Sequence, residues 1–83
     1  MTYEISWQDN ALGVAARFLE DDPEGLRQLF LAIDLLADNP RPPGSTEDGS
    51  RDLRRMHIGP YRAVYEIDDA TALIVIIHIG RLG

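Results

Sequence analysis

The C-terminal half of the chain consists of three strand-like runs joined by links short enough to be hairpin turns. The runs are about Leu53–Ile58, Tyr61–Asp68 and Ala72–Ile79, and the links are Gly59-Pro60 and Asp68-Asp69-Ala70. Links of this length join antiparallel neighbours, so the three runs predict an antiparallel meander. The last run is apolar at nearly every position, which favours a central strand that is covered on both faces.

The N-terminal run Tyr3–Trp7 alternates apolar and polar residues, as a short half-buried strand does. It is expected to pair along the free side of the last run. Asp9 or Asn10 can cap the helix that is predicted to follow. That helix runs through four apolar positions: Leu12, Ala15, Ala16 and Leu19.

The second helix is the clearest element of the sequence. Asp22 suits its N-cap and Pro23 its first helical position, so Asp21-Asp22-Pro23 both ends the first helix and starts the second. Asn39-Pro40 ends the second helix, and residues 40–50 are rich in proline, glycine and polar side chains, which predicts a loop. The apolar residues of the second helix recur at helical spacing. They are Leu26, Leu29, Phe30, Ile33, Leu36 and Ala37.

Together these elements predict one domain over residues 1–83, of the α+β class. A helical hairpin would pack on one face of a small, mainly antiparallel four-stranded sheet, in the order β-α-α-β-β-β. No stretch approaches the roughly 18 apolar residues of a membrane span, and the chain has no cysteine. A cytoplasmic protein without a membrane partner is therefore expected. No metal-ligand spacing or glycine-rich phosphate loop occurs, so no metal and no cofactor are expected.

Charge is distributed unevenly along this acidic chain, whose formal net charge is −6. Residues 1–50 hold three arginines and ten carboxylates, whereas residues 51–83 hold five arginines and four carboxylates. All basic residues are arginine, whose planar guanidinium suits phosphate or carboxylate but does not exchange protons near neutral pH. The C-terminal half can therefore present a local positive patch.

The turn at Gly59-Pro60 determines which side chains share a face of the sheet. Glycine tolerates the positive φ of the first position of a type II′ turn, and the fixed φ of proline is compatible with the second. His57 then lies opposite Arg62, and Arg55 lies opposite Val64. Alternation directs one set of side chains towards the helices: Met56, Ile58, Tyr61, Ala63, Tyr65 and Ile67.

Arg55, His57 and Arg62 share the other face in this register. Two guanidinium groups beside an imidazole can hold a phosphate and move a proton. The alternative is an ordinary solvated sheet face, because charged residues are common there. His78 lies within the apolar last run, so partial burial and a structural role are expected, although its face is not determined. Arg81 can either reach the same site or remain in solvent.

The pattern of elements and motifs resembles the RelE/ParE superfamily of type II toxins. The resemblance rests on Asp52–Ile67, most specifically on Gly59-Pro60-Tyr61-Arg62-Ala63-Val64-Tyr65-Glu66-Ile67, and on the closing Ile77-His78-Ile79-Gly80-Arg81. RelE-like toxins cleave messenger RNA in the ribosomal A site, where a 2′-hydroxyl attacks the adjacent phosphate. The resemblance implies a RelB-like antitoxin, the ribosome and messenger RNA as partners.

The resemblance also carries over individual residues. Arg62 falls on the catalytic arginine of the family, and Arg55 and His57 fall on positions that hold basic residues in RelE-type members. His57 would then be the base, while the two arginines stabilise the phosphate. The complete predicted set comprises Arg55, His57, Arg62 and Arg81 as catalytic residues, with Arg51 and Arg54 as RNA-binding residues.

Two other functions remain open. A ParE-like member would inhibit DNA gyrase by binding without chemistry, and a weakly active or inactive member would only bind its antitoxin. The retained Arg55, His57 and Arg62 favour the ribonuclease. Two other features favour the alternatives: no tyrosine follows Arg81 in this sequence, and residues 44–50 are neutral to acidic.

Overall fold

The helices and strands follow the predicted order, with one additional strand. The computed structural model describes residues 2–82. Within them five strands form a sheet in the order β1-β5-β4-β3-β2, with β1 parallel to β5 and the other neighbours antiparallel. The α+β prediction is confirmed, but the count of four strands is wrong. The elements are β1 (Glu4–Trp7), α1 (Asp9–Asp21), α2 (Pro23–Leu35), β2 (Thr46–Ser50), β3 (Leu53–Ile58), β4 (Tyr61–Asp68) and β5 (Leu73–Arg81).

The additional strand β2 lies in the segment that was predicted to be a loop. Its side chains are mostly exposed and show no apolar alternation. Backbone pairing to β3 defines it, with Thr46 opposite Arg55 and Glu47 opposite Arg54. Because an edge strand of this kind is held by main-chain hydrogen bonds rather than by burial, its sequence carries no hydrophobic pattern.

Helix α2 begins as predicted, and α1 does not. The Asp22 carboxylate accepts a 3.0 Å hydrogen bond from the backbone N–H of Gly25, and Pro23 occupies the first turn. The N-cap of α1 is Gln8, without a side-chain capping bond. The buried positions of α1 are Ala11 and Ala15, whereas Leu12 and Leu19 are exposed.

The helical hairpin covers one face of the sheet, and the core lies between these two layers. The core residues of α2 are Leu26, Leu29 and Ile33, and Leu36 at its C-cap is also buried; the sheet residues are Met56, Tyr61, Ala63, Tyr65, Ile67, Ile74, Ile76 and Ile79. The hydroxyl of each buried tyrosine finds an acceptor at the margin of the core, as buried phenols usually do. Tyr61 donates to Asp22 at 2.8 Å, and Tyr65 donates to the Pro40 carbonyl at 2.7 Å.

Strand β5 occupies a central position between β1 and β4, as predicted. The expectation that both of its faces are covered is wrong, because Leu73, Val75 and Ile77 remain only half-buried. Among residues 2–82 no helix is long and apolar enough to cross a membrane.

Candidate functional site

The register of the β3–β4 hairpin is the predicted one. His57 lies opposite Arg62 and Arg55 lies opposite Val64, while Gly59 has the positive φ of +57° that the turn requires. The face of the sheet away from the helices therefore carries the predicted basic residues. We call it the open face; its side chains include Leu53, Arg55, His57, Arg62, Val64, Glu66, Val75 and His78.

A β-bulge in β5 brings His78 to this face. Tyr65 lies opposite Ile76, but Val64 lies opposite His78, so Ile77 is an extra residue between two regular pairs. An inserted residue reverses the alternation of the side chains that follow it. His78 is consequently exposed, and the expectation that it would be partly buried is wrong.

His57, Arg62 and Gly80 form one row across three strands, and Arg55, Val64 and His78 form the next. Arg62 therefore has His57 on one side and a glycine on the other.

Gly80 leaves the space into which the side chains of His78 and Arg62 extend. A Cβ at Gly80 would lie 3.1 Å from Nε2 of His78, 3.7 Å from Nη2 of Arg62 and 3.9 Å from its Nε. The imidazole and the guanidinium thus converge over the same glycine. A larger residue at this position would compete with both of them for the space.

Arg55 and Arg62 have no counter-ion in the part of the chain that the structure describes. Among residues 2–82 no carboxylate lies within 4.0 Å of either guanidinium. The Nε atoms of both arginines are also buried without a hydrogen-bond acceptor in this part of the chain. A buried donor without an acceptor costs about 1–3 kcal/mol. An anion with several oxygens would satisfy both groups through charge-assisted hydrogen bonds.

Other arginines are engaged within the fold. Arg27 lies 3.8 Å from Glu24, and Arg41 contacts Asp52 at 2.9 Å and Asp69 at 3.1 Å. The contrast is informative in a chain with 14 acidic residues. Arg17 of α1 likewise has no ion pair among residues 2–82, but only Arg55 and Arg62 combine the lack of a carboxylate with a buried Nε that has no acceptor.

Arg81, predicted to be catalytic, lies on the side of the helices. It is opposite Tyr61, its guanidinium sits 4.6 Å above the ring of Phe18, and its Nη2 is 3.7 Å from Asp21. The structure therefore does not bring Arg81 to Arg62. Cation–π and ionic contacts of this kind join the end of β5 to α1.

The two predicted RNA-binding residues also lie apart from Arg55, His57 and Arg62. Arg54 donates from Nε to the Ser45 hydroxyl and from Nη2 to the Ser45 carbonyl, each at 3.0 Å. Arg51 is exposed at the turn between β2 and β3, where it lies 3.7 Å from Asp52 and 3.9 Å from Asp69. Arg54 thus holds the segment that precedes β2, and Arg51 is at the far end of β3 from His57.

The resolved pKa shifts belong to two clusters away from the open face. The Tyr3 hydroxyl donates a 2.5 Å hydrogen bond to Asp69, and this bond, followed by that from Arg41, lowers the pKa of Asp69. The same bond raises the pKa of Tyr3. Burial, and then the bond to Asp22, raises the pKa of Tyr61. Both clusters connect loops or helix ends, so they are structural in this fold.

A family model described as the ParE toxin of the type II toxin–antitoxin system parDE matches residues 3–81. The chain belongs to this toxin family. No curated protein sequence matches it significantly.

Solved structures of RelE and ParE toxins share the toxin's fold. The archaeal RelE–RelB complex from Pyrococcus horikoshii OT3 is similar with a TM-score of 0.78 and 22% identity, covering 100% of this chain and 98% of that one. The isolated Escherichia coli RelE toxin is similar with a TM-score of 0.82 and 19% identity, covering 98% of this chain and 85% of that one. The chromosomal ParDE system from P. aeruginosa is similar with a TM-score of 0.73 and 12% identity, covering 99% of this chain and 98% of that one.

Proposed function

We propose that this type II toxin is a ribosome-dependent endoribonuclease that cleaves messenger RNA. The observation that carries the proposal is the pair of guanidinium groups beside His57, those of Arg55 and Arg62, which have no carboxylate within 4.0 Å among residues 2–82. The acidity of the chain does not oppose it, because ten of the 14 carboxylates belong to residues 1–50. A locally basic sheet face is compatible with a phosphate substrate even when the net charge is negative.

The reaction follows from the chemistry of these side chains. His57 removes the proton of a ribose 2′-hydroxyl, whose oxygen then attacks the adjacent phosphorus. Arg55 and Arg62 stabilise the negative charge that develops on the non-bridging oxygens. The bond from phosphorus to the 5′-oxygen breaks, which leaves a 2′,3′-cyclic phosphate and a 5′-hydroxyl. Arginine remains charged throughout, so it contributes electrostatics rather than proton transfer.

The integrity of messenger RNA after induction of the toxin tests this proposal. Primer extension on translated messages should show cuts within codons for the wild type, and these cuts should be absent for His57→Gln and Arg62→Ala. Arg27→Ala is the matched control, because the Arg27 side chain is 72% exposed and its ion pair lies within one helix. Codon cuts that persist in a folded Arg62→Ala protein would refute the catalytic assignment.

Inhibition of DNA gyrase is the second candidate, and the match to the ParE toxin family favours it. A gyrase inhibitor would arrest growth while messages remain intact, and the purified toxin would block supercoiling of relaxed plasmid by gyrase. Intact messages together with normal growth would instead indicate a member that only binds its antitoxin.

An antitoxin is the partner that the family membership supports. The solved complexes from P. horikoshii and P. aeruginosa pair similar chains with RelB or contain a ParDE system. Co-expression of this toxin with the protein encoded beside it should yield one complex on size-exclusion chromatography and restore growth. Separate elution of the two proteins would count against that partner.

A further inference from the structure

We propose that His78 is a second proton-transfer residue of the open face, the general acid that protonates the leaving 5′-oxygen. This inference rests on the proposed ribonuclease function. Its basis is the bulge at Ile77, which places the exposed imidazole on the same face as Arg62, and the convergence of Nε2 and the Arg62 guanidinium over Gly80.

The two histidines flank Arg62 on opposite sides. His57 is on β3, directly across from Arg62, whereas His78 is on β5, beside the space that Gly80 leaves. In-line displacement at phosphorus places the attacking and leaving oxygens on opposite sides of the phosphate. A phosphate held by Arg62 would therefore expose its attacking oxygen to one imidazole and its leaving oxygen to the other.

The leaving 5′-oxygen must gain a proton, and a positioned acid speeds this step. His57 gains the proton of the 2′-hydroxyl as the new O–P bond forms. The bond to the 5′-oxygen then breaks, and protonated His78 transfers its proton to that oxygen. No atom is oxidised or reduced. After one turnover His57 carries the proton and His78 has lost it. They return to their starting states by exchange with water.

Few other groups near Arg62 could act as the acid. The chain contains two histidines, and arginine does not give up its proton near neutral pH. Glu66 is a carboxylate on the open face, but it lies opposite Val75, one row farther from Arg62 than His78.

Replacing the leaving oxygen with sulfur tests the role directly, because a thiolate leaves without being protonated. Programmed ribosomes would carry either an ordinary message or one with a single bridging 5′-sulfur at the cleaved linkage. Single-turnover rates would be measured for the wild type, His78→Gln and His57→Gln. His78→Gln should be slower by about 10²–10⁴-fold on the ordinary message. It should match the wild type on the sulfur message, whereas His57→Gln should remain slow on both.

Each outcome distinguishes the two proposals. If the wild type cleaves neither message, the ribonuclease function fails and the role of His78 fails with it. If the wild type cleaves and His78→Gln is equally fast on the ordinary message, only the role of His78 is overturned. If His78→Gln is slower than the wild type by the same factor on both messages, the role of His78 is structural and the proposed role as an acid is also overturned. Thermal unfolding of His78→Gln verifies that the fold is retained.

A binding measurement provides a readout that is independent of cleavage. Because the chain has two histidines, the imidazole resonances of His78 can be assigned from the His57→Gln variant. Titration with inorganic phosphate should shift them in the wild type and should not do so in Arg62→Met. If phosphate leaves the His78 resonances of the wild type unchanged, the imidazole is not beside the bound anion and the proposal is overturned.

Discussion

The Tyr61 hydroxyl donates a 2.8 Å hydrogen bond to Oδ2 of Asp22, the residue that caps α2. This bond connects the start of β4 to the start of the second helix. It is the largest cause of a lowered pKa for Asp22, followed by the bond from the Gly25 N–H. A carboxylate whose pKa is lowered by folding stabilises the protein above its unfolded pKa. That contribution is lost as the pH falls through the folded pKa.

Tyr61→Phe should therefore lower the Tm at neutral pH, and its difference from the wild type should shrink below about pH 4, where free aspartate titrates. Circular dichroism melts from neutral pH to about pH 2 would measure this difference. Tyr65→Phe is the matched control, because its hydroxyl binds the Pro40 carbonyl, which does not titrate. A difference for Tyr61→Phe that stays constant with pH, as expected for Tyr65→Phe, would contradict the assigned role of Asp22.

Gly25→Ala and Gly13→Ala should change stability in opposite directions. Both glycines are helical, and nothing lies within 4 Å of a Cβ at Gly13. Alanine at Gly13 should stabilise the protein by about 0.5–1 kcal/mol. A Cβ at Gly25 would overlap the Asp22 carboxylate and lie 2.9 Å from Cε2 of Tyr61, so it would displace the cap. Urea unfolding of both variants would measure the signs, and a stabilised Gly25→Ala protein would show that the cap can be moved at little cost.

Arg62→Met should raise the Tm while it abolishes RNA cleavage. Methionine keeps an unbranched stem of similar length but removes the buried Nε that has no acceptor. Functional groups held without a partner often lower stability in this way. Thermal melts and primer extension on the same preparation would measure both effects. A lower Tm for Arg62→Met would mean that the guanidinium stabilises the fold through a contact that methionine cannot replace.

The part of the site that could be predicted from the sequence depends on one tight turn. Two residues, Gly59 and Pro60, link β3 to β4, so the pairing of His57 with Arg62 follows from the turn type alone. The buried stripe of α2 was likewise predictable, because its period is regular and its cap is unambiguous. These features are local, and their geometry does not depend on distant parts of the chain.

The features that sequence reasoning missed depend on tertiary context. The apolar run of β5 has no residue that marks a bulge, so the shift at Ile77 that exposes His78 is visible only in the pairing with β4. Arg81 ends the same strand, and the bulge also places it on the helix side, opposite Tyr61, where it contacts Phe18 and Asp21 of α1. Strand β2 has no hydrophobic period because its partner is the backbone of β3.

Gly80→Ala should preserve the fold and impair cleavage. The nearest atoms to the added methyl group are Nε2 of His78 at 3.1 Å and Nη2 of Arg62 at 3.7 Å, both at the ends of flexible side chains. These groups can move away, so the Tm should stay close to that of the wild type. Their displacement from the phosphate should nevertheless slow single-turnover cleavage by about 10²-fold, since a misplacement of about 1 Å can have that effect. Undiminished cleavage by a folded Gly80→Ala protein would show that the convergence of His78 and Arg62 over Gly80 is not required for the reaction.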